Sequence, residues 1–326
     1  MIVLVTGATG FVGLHVVRRL VGHGARVIGF SANEPDAETA RFLGEASSGV
    51  TFIRGDVRDR EFLTAVCGRE GADRIVHAAA LTPSPDLERA APATVVDTNL
   101  GGTVNALEAA RACAAQRVVL VSSSGLYGSP EDPDRLITET TPPRASGLYA
   151  LCKVAGEGIG RRYAALGGPP VVAARVGTVY GPMERPTPTR QGMSEVYTLA
   201  HAALRGTAVA IHGADVRRDY CYADDVAEAL AGLTLADTLT WDLYNVGSGA
   251  APSVGAVATS LANLVPGFVW EAVDTPAAAD LVVLSAKARG PMDLTRLTRD
   301  LNFRPEYSLT SGLASYVSWL RTVNDA

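Results

Sequence analysis

Tyr149 and Lys153 stand four residues apart in a run from Gly147 to Leu166 that reads as helix, and that spacing places the phenol and the ammonium on one helix face, one turn apart. A nearby cation favours the phenolate. An unperturbed phenol titrates near about 10, and an acid/base catalyst works best when its pKa lies closer to the operating pH. The pair therefore has the composition of a proton-transfer site. The same spacing also describes a solvated lysine beside a half-buried tyrosine. The elements that would have to position the pair decide between the two.

Those elements begin at the first strand. Ile2 to Val5 is an apolar run ending in Thr6-Gly7-Ala8-Thr9-Gly10-Phe11-Val12-Gly13, and a helical pattern follows, with Val12, Val16, Val17 and Leu20 on one side and Arg18 and Arg19 on the other. Strand, glycine-rich turn and helix in this order form a dinucleotide-binding unit. Gly7 permits the tight turn, Gly10 lets the backbone approach a pyrophosphate, and Gly13 lets helix and strand pack closely, with Phe11 and Val12 at the helix start. A second strand, Ala25 to Phe30, leads to Ser31, where an acid normally holds the adenosine ribose. A serine can serve a 2'-hydroxyl or a 2'-phosphate, the latter with Arg41 or Arg54, so NAD and NADP are both expected cofactors, NAD first. Asp56-Val57, beyond a third strand at Thr51 to Arg54, is placed to meet the adenine; its alternative is an ordinary turn with a capping role. A fourth strand, Arg74 to His77, runs into Ala78, Ala79 and Ala80, small residues that leave space for a ligand. His77 itself reads as a satisfied strand-end histidine rather than a catalyst. After a helical stretch from Thr94 to Ala115 that includes Asn99, a fifth strand, Arg117 to Val121, ends in Ser122, Ser123 and Ser124. Five alternations of strand and helix predict an α/β fold, a doubly wound parallel (Rossmann) sheet whose ligands lie beyond the carboxyl ends of its strands.

Composition agrees with a packed globular enzyme. Of 326 residues 47% are hydrophobic and 19% charged, and 29 basic against 34 acidic residues give a net charge of -5, with no basic run that advertises nucleic acid or an anionic membrane. Cys67, Cys113, Cys152 and Cys221 show no paired spacing for a metal. They read as free thiols of a cytoplasmic protein, and no basic leader or membrane span is expected.

The second half holds a sixth strand, Val171 to Arg175, and then a Pro-, Thr- and Arg-rich stretch from Met183 to Gly192, read as a loop leaving the nucleotide domain. The expected division is 1–182 for dinucleotide binding and 183–326 mainly for substrate, a smaller, discontinuous C-terminal domain with short returns to the first near 215–250. Arg218, in Arg218-Asp219-Tyr220, is a fork suited to a diphosphate, or else a partner of Asp219 or Asp224.

Taken together, TGATGFVG at Thr6 to Gly13, GDVRD at Gly55 to Asp59, HAAA at His77 to Ala80, NLGGT at Asn99 to Thr103, VSSSGLYG at Val121 to Gly128, YALCK at Tyr149 to Lys153 and RVGTVYGP at Arg175 to Pro182 resemble the extended short-chain dehydrogenase/reductase family, in its nucleotide-sugar epimerase/dehydratase group. The resemblance implies catalysis by Ser123, Tyr149 and Lys153, a cofactor contact at Asn99, a sugar or diphosphate contact at Ser124, Thr178, Arg218 and Arg289, and a homodimer. Relatives that dehydrate or decarboxylate the sugar carry extra acid/base side chains where this chain has Ser124 and Gly125. The implied activity is thus hydride transfer at one hydroxyl-bearing carbon of a nucleotide sugar, as in a 4-epimerase. Thr178, where such relatives have asparagine, leaves a dehydrogenase or reductase of a non-nucleotide sugar, hydroxy acid or carbonyl compound as the alternative.

Overall fold

Val3, Leu4 and Val5 are completely buried, as are Val27, Ile28 and Phe30 in the next strand. Strands buried on both faces belong in a parallel sheet covered by helices on both sides, and that is where the chain puts them. The computed structural model describes residues 1–130, 132 and 134–324. Its central sheet has seven parallel strands. Six are β1 (Ile2–Thr6), β2 (Arg26–Ser31), β3 (Val50–Arg54), β4 (Arg74–His77), β5 (Arg117–Ser123) and β6 (Val171–Val176), and the seventh is Leu243–Val246. From one edge to the other the order is Leu243–Val246, β6, β5, β4, β1, β2, β3. The direction of winding reverses between β1 and β4, where Thr6 pairs with His77, and a crevice opens beyond the carboxyl ends at such a point.

Two departures from the sequence expectations bear on the site. The stretch expected as one helix from Thr94 to Ala115 is a short helix Pro92–Val96, a wide π turn Asp97–Gly101 and a helix Gly102–Ala112. Asn99 sits in that turn, fully buried, and its amide holds the backbone of Leu81 and Val95. Period alone does not reveal a one-residue insertion of this kind, because the apolar face continues on either side. The stretch from Met183 to Gln191 does not lead away from the nucleotide half. It folds back across it: the Thr82 N–H donates to the Thr189 carbonyl at 2.9 Å, and Gln191 is bonded to Thr82 and Ser84.

A second apolar core lies beyond β6, built from Tyr180, Val196, Leu199, Tyr220, Tyr222, Leu261 and Tyr316 among others. It is framed by a three-stranded parallel sheet, Trp270–Ala272, Val209–His212 and Leu281–Val282, and by the pair Thr178–Tyr180 and Tyr220–Tyr222. The chain returns to the first core twice between these pieces. Helix Ala223–Leu235 packs against helix Phe11–Gly22, with Asp224 bonded to His15 at 2.8 Å and to Arg18 at 2.7 Å, and strand Leu243–Val246 completes the central sheet. Asp225 binds the backbone N–H groups of Glu306 and Tyr307. Among the described residues no helix is long and apolar enough to cross a membrane, and all four cysteines are free thiols.

Candidate active site

The first half of the site is the turn after β1. Gly7 has φ +69, and a Cβ there would lie 2.7 Å from the Ala79 Cα. At Gly13 a Cβ would stand 2.1 Å from the Gly7 carbonyl oxygen. Only glycine lets the turn, the first helix and the Ala78-Ala79 backbone come this close. The N-cap of helix Phe11–Gly22 is Gly10, which offers no side-chain cap, so the first N–H groups of the helix are available to an anion. Gly7, Gly10, Phe11, Val12, Gly13, Ala78, Ala80 and Lys153 line one part of the cleft beside this turn. Its continuation is lined by Ser31, Asp56, Val57 and Ala79, with Asn33 and Arg58. Arg58 grips Asp56 with bonds down to 2.6 Å and holds its carboxyl below the usual range. The Ser31 hydroxyl is 2.7 Å from that of Thr9. The groove thus offers small residues and a row of backbone donors at one end and polar side chains at the other, which is the donor set a dinucleotide requires. Arg41 lines a different cleft, behind helix Phe11–Gly22.

The second half is helix Leu148–Ala165. Its N-cap is Gly147, and the Leu148 N–H is met by the Glu88 carboxylate at 2.9 Å, so this helix end is closed and the Tyr149 turn is fixed. Lys153 is buried. Its ammonium donates to the Val121 carbonyl at 2.8 Å and stands 5.5 Å from the centre of the Tyr149 ring; burial pulls its pKa down to about 8. Burial pushes the Tyr149 phenol up, while the Arg190 charge and a hydrogen bond with Ser123 act to lower it. β5 ends at Ser123, whose Oγ accepts the Gly125 N–H at 3.0 Å, which leaves its own proton to point elsewhere. Ser123 and Tyr149 share a second cleft with Ser124, Thr178, Arg190, Arg218 and Lys287. Val12, Thr82, Val121, Tyr149 and Arg190 line both clefts, so the dinucleotide groove opens into this one at the phenol.

Most residues singled out in the sequence come together here. Asn99 and Arg289 do not line either cleft. Asn99 supports the Leu81 backbone, and Arg289 donates to the carbonyls of Ser124, Gly125, Ala286 and Ala288; its burial and the nearby Arg218 lower its pKa to about 10. Arg218 is paired with neither Asp219 nor Asp224 but with Glu195, at 2.6 Å. His77 bonds Thr6 through Nδ1 at 2.8 Å, and its Nε2 has no partner among the described residues. Sequence reasoning missed Arg58, although it lies inside the quoted GDVRD segment, and it missed Arg185, Thr187, Thr189 and Arg190, because a Pro- and Thr-rich stretch carries no periodic signal that says what it covers.

Comparison with known proteins places this geometry. A UDP-glucose 4-epimerase of Mycolicibacterium smegmatis is 30% identical over 98% of both chains, and a probable UDP-glucuronate 4-epimerase of Rhizobium meliloti is 28% identical over 97% of this chain and 96% of its own. Among solved structures, the UDP-glucose 4-epimerase of Thermus thermophilus in complex with NAD superposes with a TM-score of 0.81 at 29% identity, covering 98% of this chain and 99% of that one. The protein MoeE5 in complex with UDP-glucuronic acid and NAD superposes with a TM-score of 0.82 at 29% identity, over 99% of this chain and all of its own. Residues 3–247 match the profile of the NAD dependent epimerase/dehydratase family, and the chain belongs to that family, in its extended short-chain dehydrogenase/reductase branch.

Proposed function

We propose that the protein is an NAD-dependent nucleotide-sugar 4-epimerase whose substrate is a UDP-hexose or UDP-hexuronic acid. The observation that carries this reading is the meeting of the two clefts at Tyr149, in a substrate cleft that no carboxylate, histidine or thiol lines among the described residues. Bound NAD supplies hydride acceptance and return at the reacting carbon. Tyr149 takes the proton of the substrate hydroxyl and gives it back, Ser123 donates to the reacting oxygen and fixes its place, and Lys153 orients the cofactor side of the site from its seat on Val121. With no further carboxylate, histidine or thiol lining that cleft among the described residues, the chemistry this reading assigns is inversion by oxidation and re-reduction. Arg190, Arg218 and Lys287 give the substrate cleft a positive lining suited to a sugar diphosphate.

In this reading residues 183–326 mainly supply the substrate half, and the protein works in the cytoplasm as a homodimer through helices Gly102–Ala112 and Leu148–Ala165. The exposed Leu151 on the second helix supports such a contact, whereas Ala106, Ala109 and Ala110 are used inside the chain. The test is to incubate the purified protein, without added cofactor, with UDP-glucose and UDP-glucuronate and to resolve the C4 epimers. Conversion with no net change in NADH is expected, and Tyr149→Phe should retain NAD while losing about 10²- to 10⁴-fold in kcat. Stoichiometric NADH formation would instead mark a dehydrogenase.

A further inference from the structure

Lys153 is the cation that its spacing assigns to Tyr149, yet its ammonium is held by the Val121 carbonyl. Arg190 lines both clefts together with Tyr149, and its charge acts to lower the pKa of a phenol that burial raises. Arg190 reaches this place on the strap Met183–Gln191, which starts from a left-handed Met183, φ +66. The strap is fastened at two ends: Arg185 pairs with Asp36 at 2.7 Å and Glu38 at 2.5 Å, and Thr189 and Gln191 are bonded to Thr82. Between them Thr187 and Thr189 roof the cofactor groove. The Arg190 guanidinium lies 5.1 Å from the centre of the Phe11 ring and is fixed by Glu184 at 2.7 Å. Glu184 is fully buried and anchored in turn by the Ser194 N–H and hydroxyl. A buried carboxylate with this many donors holds its arginine in one geometry. The Arg190 Nε has no partner among the described residues.

We propose that Arg190 is a positioning residue for the reaction: the strap carries its guanidinium to the junction of the two clefts, where it holds Tyr149 ready to take the substrate proton only while the strap is closed over the dinucleotide. Acid/base competence is thereby tied to cofactor enclosure. The other charged groups that line the two clefts with Tyr149 are Lys153 on its own helix, Arg185 on the strap, and Arg218 and Lys287 in the substrate cleft, with Glu184 behind Arg190; the hydroxyls there include those of Ser123, Ser124, Thr82, Thr178, Thr187 and Thr189. Helix Phe11–Gly22 contributes only Phe11, Val12 and Gly13 to the two clefts.

The inference rests on the epimerase reading for its consequence, and one experiment separates the two. The protein with its bound NAD is titrated by near-ultraviolet phenolate absorbance, and subtraction of Tyr149→Phe isolates the Tyr149 signal. In Arg190→Gln the midpoint should rise by about 1 pH unit, the alkaline-going limb of kcat should move with it, and kcat near neutral pH should fall about tenfold with little change in KM. Arg190→Lys should stay near the parent. Because Arg190→Gln leaves Glu184 buried and unpaired, the double variant Arg190→Gln/Glu184→Gln carries the same measurement if the single one does not fold. A midpoint that does not move in either overturns the proposal, as does an effect confined to KM. If no UDP-sugar is epimerised by the parent protein, the functional reading fails while the titration still decides the role of Arg190.

Discussion

Glu157 and Arg175 form an ion pair that is almost fully buried, Nη2 to Oε2 at 2.7 Å, and the other Glu157 oxygen accepts the Ser122 hydroxyl at 2.5 Å. Glu157 lies one helical turn beyond Lys153, and Ser122 adjoins Ser123. The pair therefore bolts the helix that carries Tyr149 to β5 and β6, which carry the rest of the catalytic edge. Arg175 also lies 4.8 Å from the Tyr127 ring centre, and Tyr127 is bonded to Asn245 in the outermost strand at 2.6 Å.

Breaking this bolt on one side leaves a buried charge without its partner. Glu157→Ala should cost about 3–5 kcal/mol, read as a lower midpoint in urea unfolding, whereas replacing both partners by methionine should cost much less.

His77 predicts an acid limit to stability. Thr6 Oγ1 accepts the Ala79 N–H at 3.2 Å and lies 2.8 Å from Nδ1 of the ring, whose Nε2 has no partner among the described residues. Burial and the Lys153 charge hold the folded pKa at about 3, against about 6.5 when unfolded. The folded state resists protonation, so the stability linked to neutral His77 is complete above about pH 6.5 and is lost as pH falls toward about 3. Chemical unfolding at about pH 4.5 should show a loss of roughly 2 kcal/mol relative to neutral pH that is absent in His77→Gln. An equal loss in the variant would assign the acid sensitivity elsewhere.

Gly13→Ala should strip the protein of cofactor. The added methyl meets a backbone carbonyl rather than a flexible side chain, so the helix must move away from the turn, at about 1–3 kcal/mol. Bound NAD, released by denaturation and measured by absorbance, should fall well below one per chain.

The strap should set how fast the cofactor exchanges. Removing the half-exposed Arg185 clasp forfeits about 1 kcal/mol of closure, which corresponds to roughly fivefold faster exchange of bound NAD for labelled NAD in Arg185→Ala.

How much of this was visible in the sequence depends on what kind of signal each part leaves. The glycine turn, the alanine trio and the serine trio were legible because strand, turn and helix follow one another within a few residues and each glycine has its own steric reason. The parallel, doubly wound sheet followed from alternation, whereas the strand order did not. The partners of Arg218, the retreat of Arg289 into backbone carbonyls and the return of Met183–Gln191 over the groove were not legible, since each depends on which distant segments meet. Asn99 was read as a cofactor contact, and the bonds of its amide to the Leu81 and Val95 backbone were not legible, because a buried amide between two loops looks the same in sequence as an amide facing a ligand.

Strand Leu243–Val246 has a consequence for synthesis. It pairs with β6 beginning at Ala173 opposite Leu243, some seventy residues later in the chain. While a ribosome makes the intervening segment, β6 has a complete set of unpaired edge groups and an apolar sequence, Val-Val-Ala-Ala-Arg-Val, that is buried throughout in the finished sheet. An open edge of this kind is a template for the wrong strand. Only the first part of the second core, from Tyr180 to Tyr222, is made inside that interval, and a chain halted at residue 182 would keep that edge open for good.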